Sequence, residues 1–118
     1  MAKYMANNIN FSIALITAVC YSLFMEGHQG SFIWDPEKEL INIKKHGLNF
    51  FKAAMVFKDP ERKIYTDSKH SHREERHFCI GKVGDEIITV RFIYRDGKIR
   101  IFGAGLWRKG VKYYGEKD

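Results

Sequence analysis

Among the residues of this chain whose types could do chemistry are His46, Arg76 and Arg100, and a basic stretch holding Arg108, Lys109, Lys112 and Tyr113. Arginine meets phosphate oxygens in pairs through its planar fork and keeps its charge throughout the physiological range. Histidine alone has an unperturbed pKa near neutrality, so it is a natural proton donor or acceptor. Lysines interleaved with aromatic rings can hold single-stranded RNA by phosphate contact and base stacking. Together these types suit cleavage of a phosphodiester by its own ribose. The 2′-hydroxyl attacks the adjacent phosphorus, a base takes its proton, an acid protonates the leaving 5′-oxygen, and cations hold the added phosphate charge.

Each residue also has a plainer reading. His46 stands in the last turn of an expected helix, where a cation favours the negative helix end. Arg76 follows Glu75 at a strand start and could form an exposed cross-strand ion pair of small value. Arg100 alternates with Ile99 and Ile101, so it projects from the opposite sheet face, where polar residues are ordinary. Arg95, beside Asp96-Gly97, is a turn-flanking charge that could also touch RNA. The basic stretch could be an amphipathic helix with Trp107 and Tyr114 in the core. His70, His72, His77 and Asp67 invite a metal reading, but they lie in and beside a polar loop without fixed geometry. Neither a metal nor a cofactor is expected: the chain shows no Cys-x-x-Cys, glycine-rich phosphate loop or Ser/His/Asp pattern.

The elements that must position these residues can be read from spacing. Residues 31–34, SFIW, read as a short strand. Asp35 can cap a helix that Pro36 begins, with Glu37 and Glu39 at its positive end and Gly47 as its stop. Leu40, Ile43 and Gly47 fall on one side of that helix. Asn49 can cap a second helix, FFKAAMVF, whose Phe50, Ala54 and Phe57 recur at helical spacing, and Asp59-Pro60 ends it. The period then becomes alternating. Strands are predicted at 63–66, 76–83, 86–94 and 98–103, with two-residue turns at Gly84-Asp85 and Asp96-Gly97. In the central strand Ile88, Val90, Phe92 and Tyr94 share one face, and Ile87, Arg91 and Ile93 the other. LWRKGVKYYGE makes a short basic helix weakened by Gly110. The expected fold is α+β, a mostly antiparallel sheet packed with two N-terminal helices and a short C-terminal one.

At 118 residues there is room for one core. The formal charge of +6 lies wholly on residues 32–118, because Lys3 and Glu26 cancel before them. Such a field favours phosphate backbones or an acidic protein partner. Two cysteines, Cys20 and Cys79, fit a reduced, cytoplasmic compartment better than a disulfide framework. Residues 1–31 form an extension whose run 11–25 is apolar and uncharged. It is shorter than the roughly 20 residues of a comfortable span. A packed helix, a reading-frame extension before Met25, a signal peptide and a membrane anchor all stay open, the last two the less favoured.

Residues 32–116 resemble the BrnT toxin family. The match runs from FIWDPEKELINIKKHGLNFFKAAMVFKDP through His70-Ser71, Glu75-Arg76 and Ile80-Gly81 to Arg95 and Ile99-Arg100-Ile101. The resemblance implies a RelE-like fold, ribonuclease activity, and control by a BrnA-like antitoxin that contacts operator DNA on the toxin's behalf. It supports His46, Arg76 and Arg100 as catalytic residues; Arg95 falls within the match as a contact to RNA, and Arg108, Lys109, Lys112 and Tyr113 are expected to contact RNA from their own mixture of charge and aromatic faces. One position departs from the family: Gly105 stands where an arginine is common, within Gly103-Ala104-Gly105. That departure keeps open an alternative, a non-catalytic basic partner of an antitoxin-like repressor.

Overall fold

A computed structural model describes residues 31–116. The apolar run 11–25 and Cys20 lie outside them. Strand β1 (Phe32–Trp34) leads into helix α1 (Pro36–His46), followed by α2 (Phe50–Met55) and a 3-10 turn at Val56–Lys58. Strands β2 (Lys63–Thr66), β3 (His77–Val83), β4 (Glu86–Arg95) and β5 (Lys98–Gly105) follow, and α3 (Arg108–Gly115) closes the chain. The sheet order is β1-β5-β4-β3-β2; β1 runs parallel to β5, and every other pair is antiparallel. The α+β class with two N-terminal helices and a short C-terminal one is as expected. Among the described residues no helix is long and apolar enough to cross a membrane.

Local signals account for most boundaries. Asp35 accepts the Glu37 amide at 2.9 Å, and Gly47, at φ 70°, returns its N–H to the Ile43 carbonyl at 2.8 Å. Asn49 accepts the Lys52 amide at 2.7 Å. Asp96 and Gly97 have φ of 53° and 74°, the two positive values that a tight hairpin of this hand requires.

The inward face of α1 differs from the expectation. Glu39 and Asn42 are buried, whereas Ile43 is 38% exposed. The reason is backbone satisfaction: a buried backbone group left without a partner is costly, so a polar side chain that supplies one is favoured over an apolar one. Glu39 Oε2 accepts the Phe50 amide at 2.8 Å. β1 ends at Trp34, opposite Ile101, so the edge of β5 beyond it has no neighbouring strand. There the Asn42 amide takes the strand's place, accepting the Ala104 N–H at 3.1 Å and donating to its carbonyl at 3.0 Å. Burial pushes the Glu39 carboxyl above its ordinary value, against the lowering influence of the Phe50 amide and then the Trp34 indole. Even so, Glu39 Oε1 and Trp34 Nε1 form no well-aligned hydrogen bond with a described residue.

One face of the sheet makes the core with α1 and α2. Phe50, Ala53, Ala54 and Val56 pack on Cys79, Ile88, Val90, Phe92, Ile101 and Ala104. Full burial of a side chain the size of Phe50 or Phe92 contributes about 1.5–3 kcal/mol. The Cys79 thiol, buried here, is pushed up to about 12 and is a packing group.

Helix α3 crosses the other face, over β3 and β4. Its apolar residues do not make a continuous buried stripe, since Val111, one turn after Trp107, is 46% exposed. Gly110, expected to weaken this helix, is its buried contact point: a Cβ there would collide with Thr89 Oγ1. The far end is fastened by Asp59, which accepts the Tyr114 hydroxyl at 2.6 Å and the Lys82 amide at 2.7 Å.

Candidate functional site

The sheet face away from the core gathers arginines and aromatic rings. A cross-strand row runs Tyr65, Phe78, Arg91 and Gly103, from β2 to β5. Between Arg91 and Phe92 the β4–β5 register shifts, so Phe102 is the extra residue of a bulge. Two guanidinium groups meet its ring: the carbon of Arg76 stands 5.1 Å from the centroid and that of Arg91 5.3 Å. Arg91 also lies 5.6 Å from the Trp107 ring. Each such contact is worth about 0.5–2 kcal/mol, depending on how dry it is.

Glycine makes room for this arrangement. A Cβ on Gly103 would lie 2.7 Å from Arg91 Nη2, and one on Gly105 would lie 2.8 Å from Trp107 Cζ2. Gly105 therefore holds the indole flat on the strand. Burial lowers the pKa of Arg91, the neighbouring charge of Arg76 lowers it further, and Asp67 acts in the opposite sense. Its Nε is buried with no hydrogen-bond partner among the described residues. Two like charges on one aromatic platform, one with an unused donor, form a place that an anion would relieve.

The expected site residues fall around this point in different ways. Arg76 immediately precedes β3, and its backbone is pinned: its N–H donates to Ser71 Oγ at 3.0 Å, and its carbonyl accepts the Asp67 N–H at 2.7 Å. Arg100 shares the face, in register with Ile93, and its side chain makes no hydrogen bond or ion pair with a described residue. His46 reaches the site through Trp107, with ring centroids 5.3 Å apart. A line of contacts thus runs from His46 through Trp107, Arg91 and Phe102 to Arg76. Arg95 stands apart, in an exposed 2.9 Å ion pair with Glu74. Arg108 and Lys112 are exposed on α3, while Lys109 lies over the Tyr113 ring at 5.6 Å.

The histidines of the polar loop do not converge. His70 Nδ1 bonds Asp67 at 2.9 Å, whereas His77 lies on the core face against Phe92 and Tyr94. Among the described residues no group of three or more His, Cys, Asp or Glu is placed to hold a metal.

Reasoning from sequence passed over Arg91 and Phe102 as site residues. Arg91 left a signal, since it is the one charge inside the apolar run IITVRFIY of the central strand. Phe102 left none, because its place depends on the bulge.

Comparison with known proteins adds one finding. The family model described as the ribonuclease toxin, BrnT, of type II toxin–antitoxin systems matches residues 34–110. No curated protein matches the chain.

Proposed function

The chain belongs to the BrnT family of ribonuclease toxins of type II toxin–antitoxin systems, and on that premise we propose that it is a metal-independent endoribonuclease whose reaction centre is the Arg76–Phe102–Arg91 platform. The observation that carries this reading is the pair of guanidinium groups on one ring. A scissile phosphate seated there meets both forks. They stabilise the extra negative charge as the ribose 2′-oxygen bonds to phosphorus and the bond to the 5′-oxygen breaks. His46, beside Trp107, carries protons to or from the reacting oxygens. Arg100, on the same face, adds positive charge along the strand. Arg108, Lys109, Lys112 and Tyr113 hold flanking RNA, and Arg95 has a peripheral part in that grip.

Membership of this family implies an antitoxin partner. In this reading the partner is BrnA-like and acidic where it meets the basic face, which matches charge to charge. Operator DNA is reached only through it, and the setting is the cytoplasm. The fold reading is RelE-like.

A second reading is favoured by Gly105: where relatives commonly carry an arginine, the Trp107 ring lies on bare backbone. In that case the chain is a basic partner of a DNA-binding repressor and cuts nothing.

Growth separates the two. The full chain, expressed from an inducible promoter without antitoxin, is compared with the double variant Arg76→Ala, Arg100→Ala at matched protein level. Arrest by the parent alone, with new RNA 5′ ends, is the expected result. Equal growth with folded protein in both strains moves the conclusion to the non-catalytic partner.

A further inference from the structure

Beside the arginine platform a cleft of about 570 Å³ opens on the same sheet face, between α3 and the segment after β2. That volume is in the range of small-ligand sites, roughly 300–1,000 Å³. Four aromatic rings line it: Tyr65, Phe78, Trp107 and Tyr113. Phe78 is the cross-strand partner of Arg91, and Trp107 is the ring beneath that arginine, so cleft and platform share walls. Tyr65 and Tyr113 meet at 5.3 Å and close one side. Lys69 and Lys109 also line it. Aromatic walls with cations beside them suit a nucleobase with a phosphate on either side.

The polar groups of the cleft make the choice narrower. Asp67 and Ser68 line it side by side. Asp67 Oδ2 is engaged by His70 Nδ1 at 2.9 Å, while Oδ1 accepts from no described residue. The Ser68 hydroxyl makes no hydrogen bond with a described residue. The Asp67 backbone is tied down, its N–H to the Arg76 carbonyl at 2.7 Å and its carbonyl to the Ser71 hydroxyl at 2.5 Å. A carboxylate only accepts, so it favours a base edge that presents donors. Guanine alone offers two adjacent donors, N1–H and N2–H, next to an acceptor at O6 that a hydroxyl can meet. Adenine and cytosine place a ring acceptor beside their amino group, and uracil flanks its one imino N–H with carbonyls.

Building on the ribonuclease reading above, we propose that this cleft is a base-recognition subsite for a guanine adjoining the cut phosphate. Asp67 accepts from its N1–H and N2–H, Ser68 donates to O6, and the Tyr113 ring stacks on one of its faces. Asp67 and Ser68 are specificity residues, distinct from the groups that carry the reaction.

The test is equilibrium binding of the four ribonucleoside 5′-monophosphates to the full chain, by calorimetry. Guanosine monophosphate should bind about tenfold tighter than the other three. Asp67→Asn should remove most of that preference, because its amide brings a donor where two donors must be received. Ser68→Ala, which breaks no hydrogen bond within the described residues, should weaken guanosine monophosphate alone by several-fold, and so decides the matter if the Asp67 variant misfolds. Tyr113→Leu should weaken all four alike, by about tenfold. Equal affinity for the four, binding of none, or a guanine preference that survives both Asp67→Asn and Ser68→Ala overturns the proposal. Cut-site mapping keeps the two readings apart. Cleavage with no enrichment of guanine overturns the subsite and leaves the ribonuclease standing. Guanine binding without cleavage of any RNA overturns the ribonuclease and leaves a guanine site.

Discussion

Arg91 is the residue on which most of the proposed chemistry turns. Its guanidinium lies over two aromatic rings, Phe102 at 5.3 Å and Trp107 at 5.6 Å, and against the bare backbone of Gly103. Fixing it before substrate arrives means that little reorganisation is needed when charge develops on phosphorus. Loss of one preorganised donor of this kind costs a factor of roughly 10²–10³ in rate. Arg91→Ala should accordingly lower RNA cleavage by about that much. Arg91→Lys should recover little of it, because a point charge cannot replace a planar fork that meets phosphate oxygens in pairs. Gly103→Ala should act in the same direction by displacing Nη2. Initial rates of RNA cleavage, with melting temperatures alongside, check this; an Arg91→Lys variant as active as the parent would remove Arg91 from the reaction centre.

Helix α3 carries Arg108, Lys109 and Lys112 and is attached at two points of unlike chemistry. At Gly110 the attachment is steric: the bare Cα lies against Thr89. Gly110→Ala should cost about 1–3 kcal/mol in urea unfolding, the usual range for forcing an extra methyl into a packed contact. Thr89→Ala, added to it, should restore most of that loss by removing the colliding hydroxyl. At Asp59 the attachment is titratable. Burial alone would raise the carboxyl, but hydrogen bonds from Tyr114, Lys82 and Glu61 and the charge of Arg62 outweigh it and bring it below its ordinary 3.8. That stabilisation is fully present above 3.8 and is lost as pH falls through the lowered value. Tyr114, pushed up to about 12 by its bond to Asp59 and then by burial, contributes below its ordinary value of 10 and loses it as pH rises toward 12. Tyr114→Phe should thus be less stable than the parent by an amount that is level from neutrality down to pH 3.8 and shrinks below it. A gap that widened in acid would contradict the assignment.

For the molecule as a whole, the charge of +6 on residues 32–118 governs how RNA and an antitoxin compete. Single-stranded RNA held by several cations releases counterions on binding, so the logarithm of affinity falls linearly with the logarithm of salt concentration, by about 0.7 per phosphate neutralised. Lys112→Ala, exposed on α3, should reduce that slope by about 0.7 while leaving cut-site choice unchanged. Binding to RNA of fixed sequence, titrated across salt concentrations, measures it; an unchanged slope would place the RNA away from α3. An acidic antitoxin on the same face should show a similar salt dependence and displace RNA when added.

Much of this protein was legible in its residues taken in order. Asp35-Pro36, Gly47, Asn49 and Asp96-Gly97 act on their own neighbours, so the ends of α1, the start of α2 and the β4–β5 hairpin follow from local chemistry. Alternation put Arg91 on the face opposite Val90 and Phe92, and Arg100 opposite Ile99 and Ile101, because side chains in a strand reverse at each step. The inward face of α1 was not legible. Glu39 and Asn42 are buried because Phe50 and Ala104, 11 and 62 residues along the chain, offer backbone groups that need partners. Nor was the platform, since Phe102 joins Arg76 and Arg91 only through a bulge, and Gly103, Gly105 and Gly110 show their purpose only beside Arg91, Trp107 and Thr89. The sequence by itself determined the elements, their facing and the sign of the charge, all of which depend on near neighbours. The tertiary structure decided which charges meet, because that depends on pairing between strands and on the close approach of distant backbone.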